Sequence, residues 1–120
     1  MRLCIPTDGD GGLGAPVAQH FGRCGTYTLY DTGTAEVKVF PNTSSHMGGT
    51  GLPPEIIKRT GADVLVCREL GPRALQLLCG MGVAVYVGAM GTAKDAIESF
   101  KQGMLESASL QNVCEEHRSR

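Results

Sequence analysis

The sequence predicts an α/β domain built on a mixed five-stranded sheet with helices on both faces. Three observations lead to this class: short apolar runs that follow one another near the amino terminus, later apolar runs that alternate with helical patterns, and prolines or glycines at the boundaries. A meander followed by two right-handed β-α-β steps gives the strand order 3-2-1-4-5, with strand two antiparallel to the others.

The amino-terminal third of the chain contains three strand-like runs. Residues 2–6 form the first, and residues 27–30 and 37–40 form the second and third. The last two are joined by the polar, glycine-containing segment 31–36, which is typical of a hairpin turn. These runs therefore predict three antiparallel neighbours.

Helices and strands alternate in the middle of the chain. Pro53 and Pro72 each open a helix, because proline is tolerated in the first helical turn. The apolar runs 63–67 and 83–87 follow these helices as strands four and five. This alternation is what places helices against the sheet.

The carboxy-terminal part begins with a capping signal. Thr92 with Asp95 three residues later predicts a capped helix that ends at Gly103. The residues beyond it are mostly polar. We therefore expect a domain over residues 1–105 and a polar tail over residues 106–120.

Length and composition exclude several functional classes. The 120 residues suffice for one core, and a net charge of -1 with 5% aromatic residues and no Trp argues against nucleic-acid binding. No apolar run reaches membrane-spanning length, and the start does not look like a signal peptide, so we expect no membrane partner and a cytoplasmic location. Five cysteines without a C-x-x-C pair argue against a disulfide framework or a zinc knuckle.

The predicted topology brings several loops to one edge of the sheet. The loops after strands one, three, four and five meet there with the segment that enters strand two, and most of the 17 glycines fall in these loops. The same loops carry more cationic than acidic groups, and two predicted helices point their amino termini at this edge. We therefore expect a site for an anion.

Four motifs occur in a specific order at this edge. They are the segment 17–24, Asn42 followed by His46 and glycines, the segment 71–74, and the segment 88–92. In this order the motifs resemble the dinitrogenase iron-molybdenum cofactor biosynthesis family over residues 2–105.

This resemblance implies a ribonuclease-H-like three-layer fold that binds a metal-sulfur cluster. The cargo it implies is an iron-molybdenum cofactor precursor or, as in the related orange proteins, a molybdenum-copper sulfide held without covalent attachment. The family signature falls on cofactor-binding positions of this chain: His20, Gly22, Arg23, Asn42, His46, Gly49, Gly51, Gly71, Pro72 and Arg73. The chain departs from the family pattern at Ala18, where Ser is frequent, and at residues 68–70, where two charges replace small residues.

Imidazole and thiolate groups are the candidate metal ligands. They occur at His20, Cys24, His46 and Cys67, and they favour copper, iron or zinc over magnesium. Each has a plainer alternative. His20 either contacts a ligand or caps the turn that follows it, and each of the two cysteines is either a ligand or an inert buried thiol.

Arg23 and Arg73 also allow two interpretations. Arg23 either contacts an anion or pairs with Asp8 or Asp10. Arg73 is either a solvated helix residue or an anion contact, and its place in the first helical turn favours the latter.

The function predicted from these residues is non-enzymatic binding or carriage of an anionic metal-sulfur cluster, exchanged with donor or acceptor proteins. Cations and backbone N–H groups would form an electrostatic cradle for its sulfides. Two alternatives stay open: a magnesium-dependent nuclease-like enzyme that uses Asp8 and Asp10, and a phosphate- or nucleotide-binding module.

Overall fold

The structure, a computed structural model, describes residues 1–44 and 51–108. Within these residues the chain forms six strands and three helices. In chain order they are β1 (Arg2–Thr7), β2 (Thr26–Asp31), β3 (Val37–Pro41), α1 (Pro53–Arg59), β4 (Val64–Val66), α2 (Pro72–Gly80), β5 (Ala84–Val87), α3 (Ala93–Lys101) and β6 (Glu106–Ala108). No helix in this part of the chain is long and apolar enough to cross a membrane.

The strands form one open, mixed sheet in the order β3-β2-β1-β4-β5-β6. Strand β1 pairs antiparallel with β2 and parallel with β4, and β4 pairs parallel with β5. The predicted order of the first five strands and the antiparallel direction of β2 are confirmed. The likeness to ribonuclease H stays a prediction.

The predicted count of five strands is wrong, because the sheet has a sixth strand. Strand β6 pairs antiparallel with β5, with Val85 opposite Ala108 and Val87 opposite Glu106. Its three residues, Glu106–Ala108, have low intrinsic strand preference, so no local pattern predicts a strand there. They form a strand because the free edge of β5 offers unpaired backbone groups. The tail predicted for residues 106–120 thus begins with a strand, and residues 109–120 lie outside the described part.

Two apolar layers cover the two faces of the sheet. The alternation along β1 sends Cys4 to one face and Leu3 and Ile5 to the other. Helices α1 and α2 pack on the first face, where Ile57 and Leu78 are fully buried, and each such side chain contributes about 1.5–3 kcal/mol. Helix α3 covers the second face. Helices therefore lie on both faces, as predicted.

The start of α3 shows the predicted capping box. The Asp95 N–H donates to the Thr92 Oγ1 at 3.2 Å, and the Thr92 N–H donates to the Asp95 carboxylate at 3.0 Å. The hydrogen bond from the Thr92 N–H lowers the pKa of Asp95. The Ala93 N–H also donates to the Ala15 carbonyl at 2.9 Å, which ties this helix start to the loop after β1.

Replacing Thr92 by Ala removes an acceptor for the helix start. We expect Thr92→Ala to lower the free energy of unfolding by about 1 kcal/mol, measured by urea denaturation. Thr92→Ser, which keeps the hydroxyl, should stay close to wild type. Equal losses in both variants would show that the side-chain cap does not stabilise the helix.

Candidate functional site

The segment that enters β2 and the loop that follows β4 face each other at one edge of the sheet. They enclose a cavity of about 420 Å³, called here the polar cleft. Its lining residues are Gln19, His20, Phe21, Gly22, Arg23, Glu69, Leu70 and Gly71. The central pairing of β1 with β4 brings these loops together, although about 50 residues separate them in the chain.

A second cavity of about 280 Å³, called here the apolar cleft, adjoins the first. It is lined by Phe21, Gly22, Leu52, Pro53, Pro54, Arg73, Ala74 and Leu77. Phe21 and Gly22 line both clefts, so they form the ridge between them. His20 and Arg73 therefore lie at the same end of the molecule, but they line neighbouring cavities instead of sharing one.

Tyr27 holds the ridge from below. Its hydroxyl donates to the Phe21 carbonyl at 2.8 Å, and the Cys24 thiol donates to the same oxygen at 3.3 Å. The Arg23 N–H donates to the His20 carbonyl at 3.3 Å, which closes the turn. The sequence analysis did not identify Tyr27 as a site residue. A tyrosine in a buried strand needs a hydrogen-bond partner for its hydroxyl, and this requirement could have indicated its role.

Asn42 completes the anchoring of this turn. Its side-chain nitrogen donates to the carbonyls of Gly22 and Cys24 at 3.0 and 2.8 Å. Its own backbone N–H donates to the Gly25 carbonyl at 3.0 Å. The residue is only 7% exposed, so its amide positions the turn from the interior. Its predicted direct contact with a cofactor stays a prediction.

These hydrogen bonds determine which backbone groups face outward at the ridge. In a trans peptide the C=O and the following N–H point in opposite directions. Because the Phe21 carbonyl points at the Tyr27 hydroxyl, the Gly22 N–H points away from the core. It makes no hydrogen bond to any described residue, and Gly22 lines both clefts. The ridge therefore offers a backbone donor beside two cationic side chains.

The arginine and histidine side chains of the clefts have no acidic partner close by among the described residues. His20, Arg23 and Arg73 are exposed, and none of them forms an ion pair within 4.0 Å with a described residue. The pairing of Arg23 with Asp8 or Asp10, left open by the sequence, is thus not observed.

Gly71 and Pro72 place a helix start at the polar cleft. Gly71 is the N-cap of α2 and Pro72 is its first residue, so the positive end of the helix lies at the cleft that Gly71 lines. Gly51 has a φ of +88° just before α1, a conformation that disfavours other residues. His46 and Gly49, also predicted as cofactor-binding, lie outside the described residues.

The two candidate cysteine ligands are buried in the core beneath the clefts. Cys24 and Cys67 are 1% and 0% exposed, and they share one apolar cluster with Cys4. Burial raises the pKa of Cys24 to about 11 and that of Cys67 to about 12. Both thiols are therefore protonated at neutral pH, the form that does not bind metals well.

No three His, Cys, Asp or Glu residues within the described ranges lie close enough together to hold a metal ion. The assignment of His20, Cys24, His46 and Cys67 as metal ligands stays a prediction. Asp63 lies at the far end of the sheet, where its carboxylate accepts the Arg2 N–H at 2.8 Å, as the predicted position of strand four implied.

Three proteins are similar to this chain, two by structure and one by sequence. An NMR structure of a Thermotoga protein, described as a candidate NifB protein of the DUF35 family, is 33% identical with a TM-score of 0.75, covering 88% of this chain and 91% of that one. The apo orange protein from Desulfovibrio gigas is 27% identical with a TM-score of 0.80, covering 89% and 92%. A Methanocaldococcus jannaschii protein without an assigned function is 25% identical over 111 residues, which span 88% of this chain and 90% of that protein.

The protein is an α/β domain with two clefts at one edge of its sheet, and these clefts are lined by arginine and histidine side chains among others. A profile described as "Dinitrogenase iron-molybdenum cofactor" matches residues 1–103. The chain belongs to the dinitrogenase iron-molybdenum cofactor family, which confirms the resemblance found in the sequence.

Replacing Asn42 by Ala leaves a part-buried carbonyl at Gly22 and a buried carbonyl at Cys24 without their donor. We expect Asn42→Ala to lower the free energy of unfolding by about 2–4 kcal/mol, measured by urea denaturation. The matched control is Thr43→Ala at the exposed neighbouring position, which should change stability by less than about 0.5 kcal/mol. Similar small losses in both variants would contradict the anchoring role of Asn42.

The buried thiols predict a loss of stability in alkali. A raised pKa in the folded state means that the stabilisation is complete below the ordinary thiol pKa of 9.0 and is lost as the pH rises towards 11 and 12. The free energy of unfolding, measured at a series of pH values, should fall less steeply above pH 9 in Cys67→Ala than in wild type.

The control for this measurement is Val66→Ala, which leaves a cavity at a buried neighbour without removing a thiol. It should lower stability equally at all pH values. The same alkaline slope in wild type and Cys67→Ala would show that this thiol does not titrate differently on unfolding.

Proposed function

We propose that this protein is a non-enzymatic carrier of an anionic metal-sulfur cluster. The cargo contains molybdenum together with iron or copper and is held without covalent attachment. Membership of the dinitrogenase iron-molybdenum cofactor family and the likeness to the orange protein support a molybdenum-containing cargo. Transfer to or from a donor or acceptor protein in the cytoplasm is part of this proposal.

The observation that carries the proposal is the donor set of the polar cleft. His20 and Arg23 line it without an acidic partner within 4.0 Å among the described residues. The outward-pointing Gly22 N–H lies between them in the chain. Sulfide and oxide ligands of a cluster accept hydrogen bonds, and charge-assisted donors bind such anions strongly. A guanidinium also presents several N–H groups in one plane, which suits a multi-atom anion.

The state of the thiols favours a cradle over direct ligation. Cys24 and Cys67 lie in the apolar core and are protonated at neutral pH. Binding through them would require thiolates to form in an apolar environment, which is costly. The exposed imidazole and guanidinium groups bear no such cost. In this proposal the cluster binds because the exposed groups offset its negative charge and donate hydrogen bonds to its sulfides. A complete set of metal ligands is then not required.

Removing the positive charge of an arginine at the clefts should weaken binding of the anionic cargo. We expect Arg23→Ala to weaken uptake of tetrathiomolybdate, alone or with copper, by about three- to tenfold at low salt. Arg73→Ala should have a smaller effect, because Arg73 lines the adjoining cleft. Anaerobic equilibrium dialysis with elemental analysis of molybdenum measures both.

Arg59→Ala, at the exposed carboxy-terminal end of α1, is the control for loss of one positive charge and should bind as wild type does. No binding by the wild-type protein, or equal weakening by Arg23→Ala and Arg59→Ala, would overturn the proposed site.

A further inference from the structure

The polar cleft contains one acidic side chain that an anion site does not require. Glu69 lines the cavity together with His20 and Arg23. It is exposed and forms no ion pair within 4.0 Å with a described residue. No described arginine or histidine side chain therefore pairs directly with its carboxylate. Arg68, the other charge of this loop, does not line the cavity.

The backbone holds position 69 at the cleft. The Cys67 N–H donates to the Tyr86 carbonyl at 3.0 Å, and the Gly88 N–H donates to the Arg68 carbonyl at 3.0 Å. Pairing with the β5 side of the sheet thus continues up to the residue before Glu69. On the other side, the Leu75 N–H bonds the Gly71 carbonyl at 3.1 Å as α2 begins. The loop between these two bonds is short, so Glu69 stays at the cavity.

The carboxylate of Glu69 repels an anion that occupies the polar cleft, because Glu69 lines that cavity. Water and salt weaken this repulsion, since the residue is exposed. Coulomb repulsion is proportional to the charge of the anion, so the penalty doubles from a singly to a doubly charged ion of equal size.

We propose that Glu69 is a specificity-determining residue that selects cargo of low net negative charge. This inference rests on the proposed function. His20 and Arg23 offer hydrogen-bond donors to an anion, whereas Glu69 disfavours anions in proportion to their charge. The favoured class is a singly charged thiometalate or a cluster of comparably low net charge. A thiometalate dianion is disfavoured.

Two tetrahedral anions of similar size test this selection. Tetrathiorhenate carries one negative charge and tetrathiomolybdate carries two, so their affinities differ through charge and not through shape. We expect Glu69→Gln to tighten binding of tetrathiomolybdate by about three- to tenfold at low salt and to tighten tetrathiorhenate by a smaller factor. Both gains should shrink at high salt. Equilibrium dialysis with elemental analysis of rhenium or molybdenum gives both affinities.

The matched control is Glu98→Gln, the same change on the exposed surface of α3, which covers the other face of the sheet. It should leave both affinities unchanged. If wild type binds and Glu69→Gln gives no gain, an equal gain for both anions, or no more gain than Glu98→Gln, the inference is overturned while the proposed function stands. If neither anion binds wild type or Glu69→Gln, the proposed function is overturned, and the inference with it.

Discussion

The hydrogen bonds from Tyr27 and Asn42 to the turn at residues 20–24 are the constraint on which the rest of the site depends. Three carbonyls of this turn accept hydrogen bonds from those two buried side chains. Turning carbonyls inward removes negative dipole ends from the surface and leaves the Gly22 N–H outward. The same bonds hold Phe21 and Gly22, the two residues that line both clefts.

The sheet supplies the second requirement, which is to bring distant loops together. Strand β1 lies beside β4, so the loop that enters β2 and the loop that leaves β4 meet at one edge. Helix α2 begins at that edge, where its amino terminus adds to the positive potential. Arg23, the start of α2 and Glu69 all border the same cavity. The proposed sensitivity to net charge rests on the balance between these positive and negative groups.

Three cysteines are buried in the core and do not line the surface of the clefts. Cys4, Cys24 and Cys67 pack in the apolar layer beneath the clefts, and burial raises the pKa of each of them. The Cys24 thiol also donates to the turn above it. Their contribution that follows from the structure is packing and support of the ridge. Electrostatic binding by exposed groups is then compatible with a core that stays protonated.

Local pattern by itself determined the first five strands and the three helices, because periodicity, prolines and the Thr92 cap are encoded within a few residues. The ordered motifs also determined the family. Only the tertiary structure decided that β6 exists, because its residues form a strand by pairing with the otherwise unpaired edge of β5. It alone separated Arg73 from the polar cleft and placed Glu69 inside it, and it alone showed Asn42 to be a buried anchor. Those outcomes depend on which groups meet across the fold, a property that no short stretch of sequence contains.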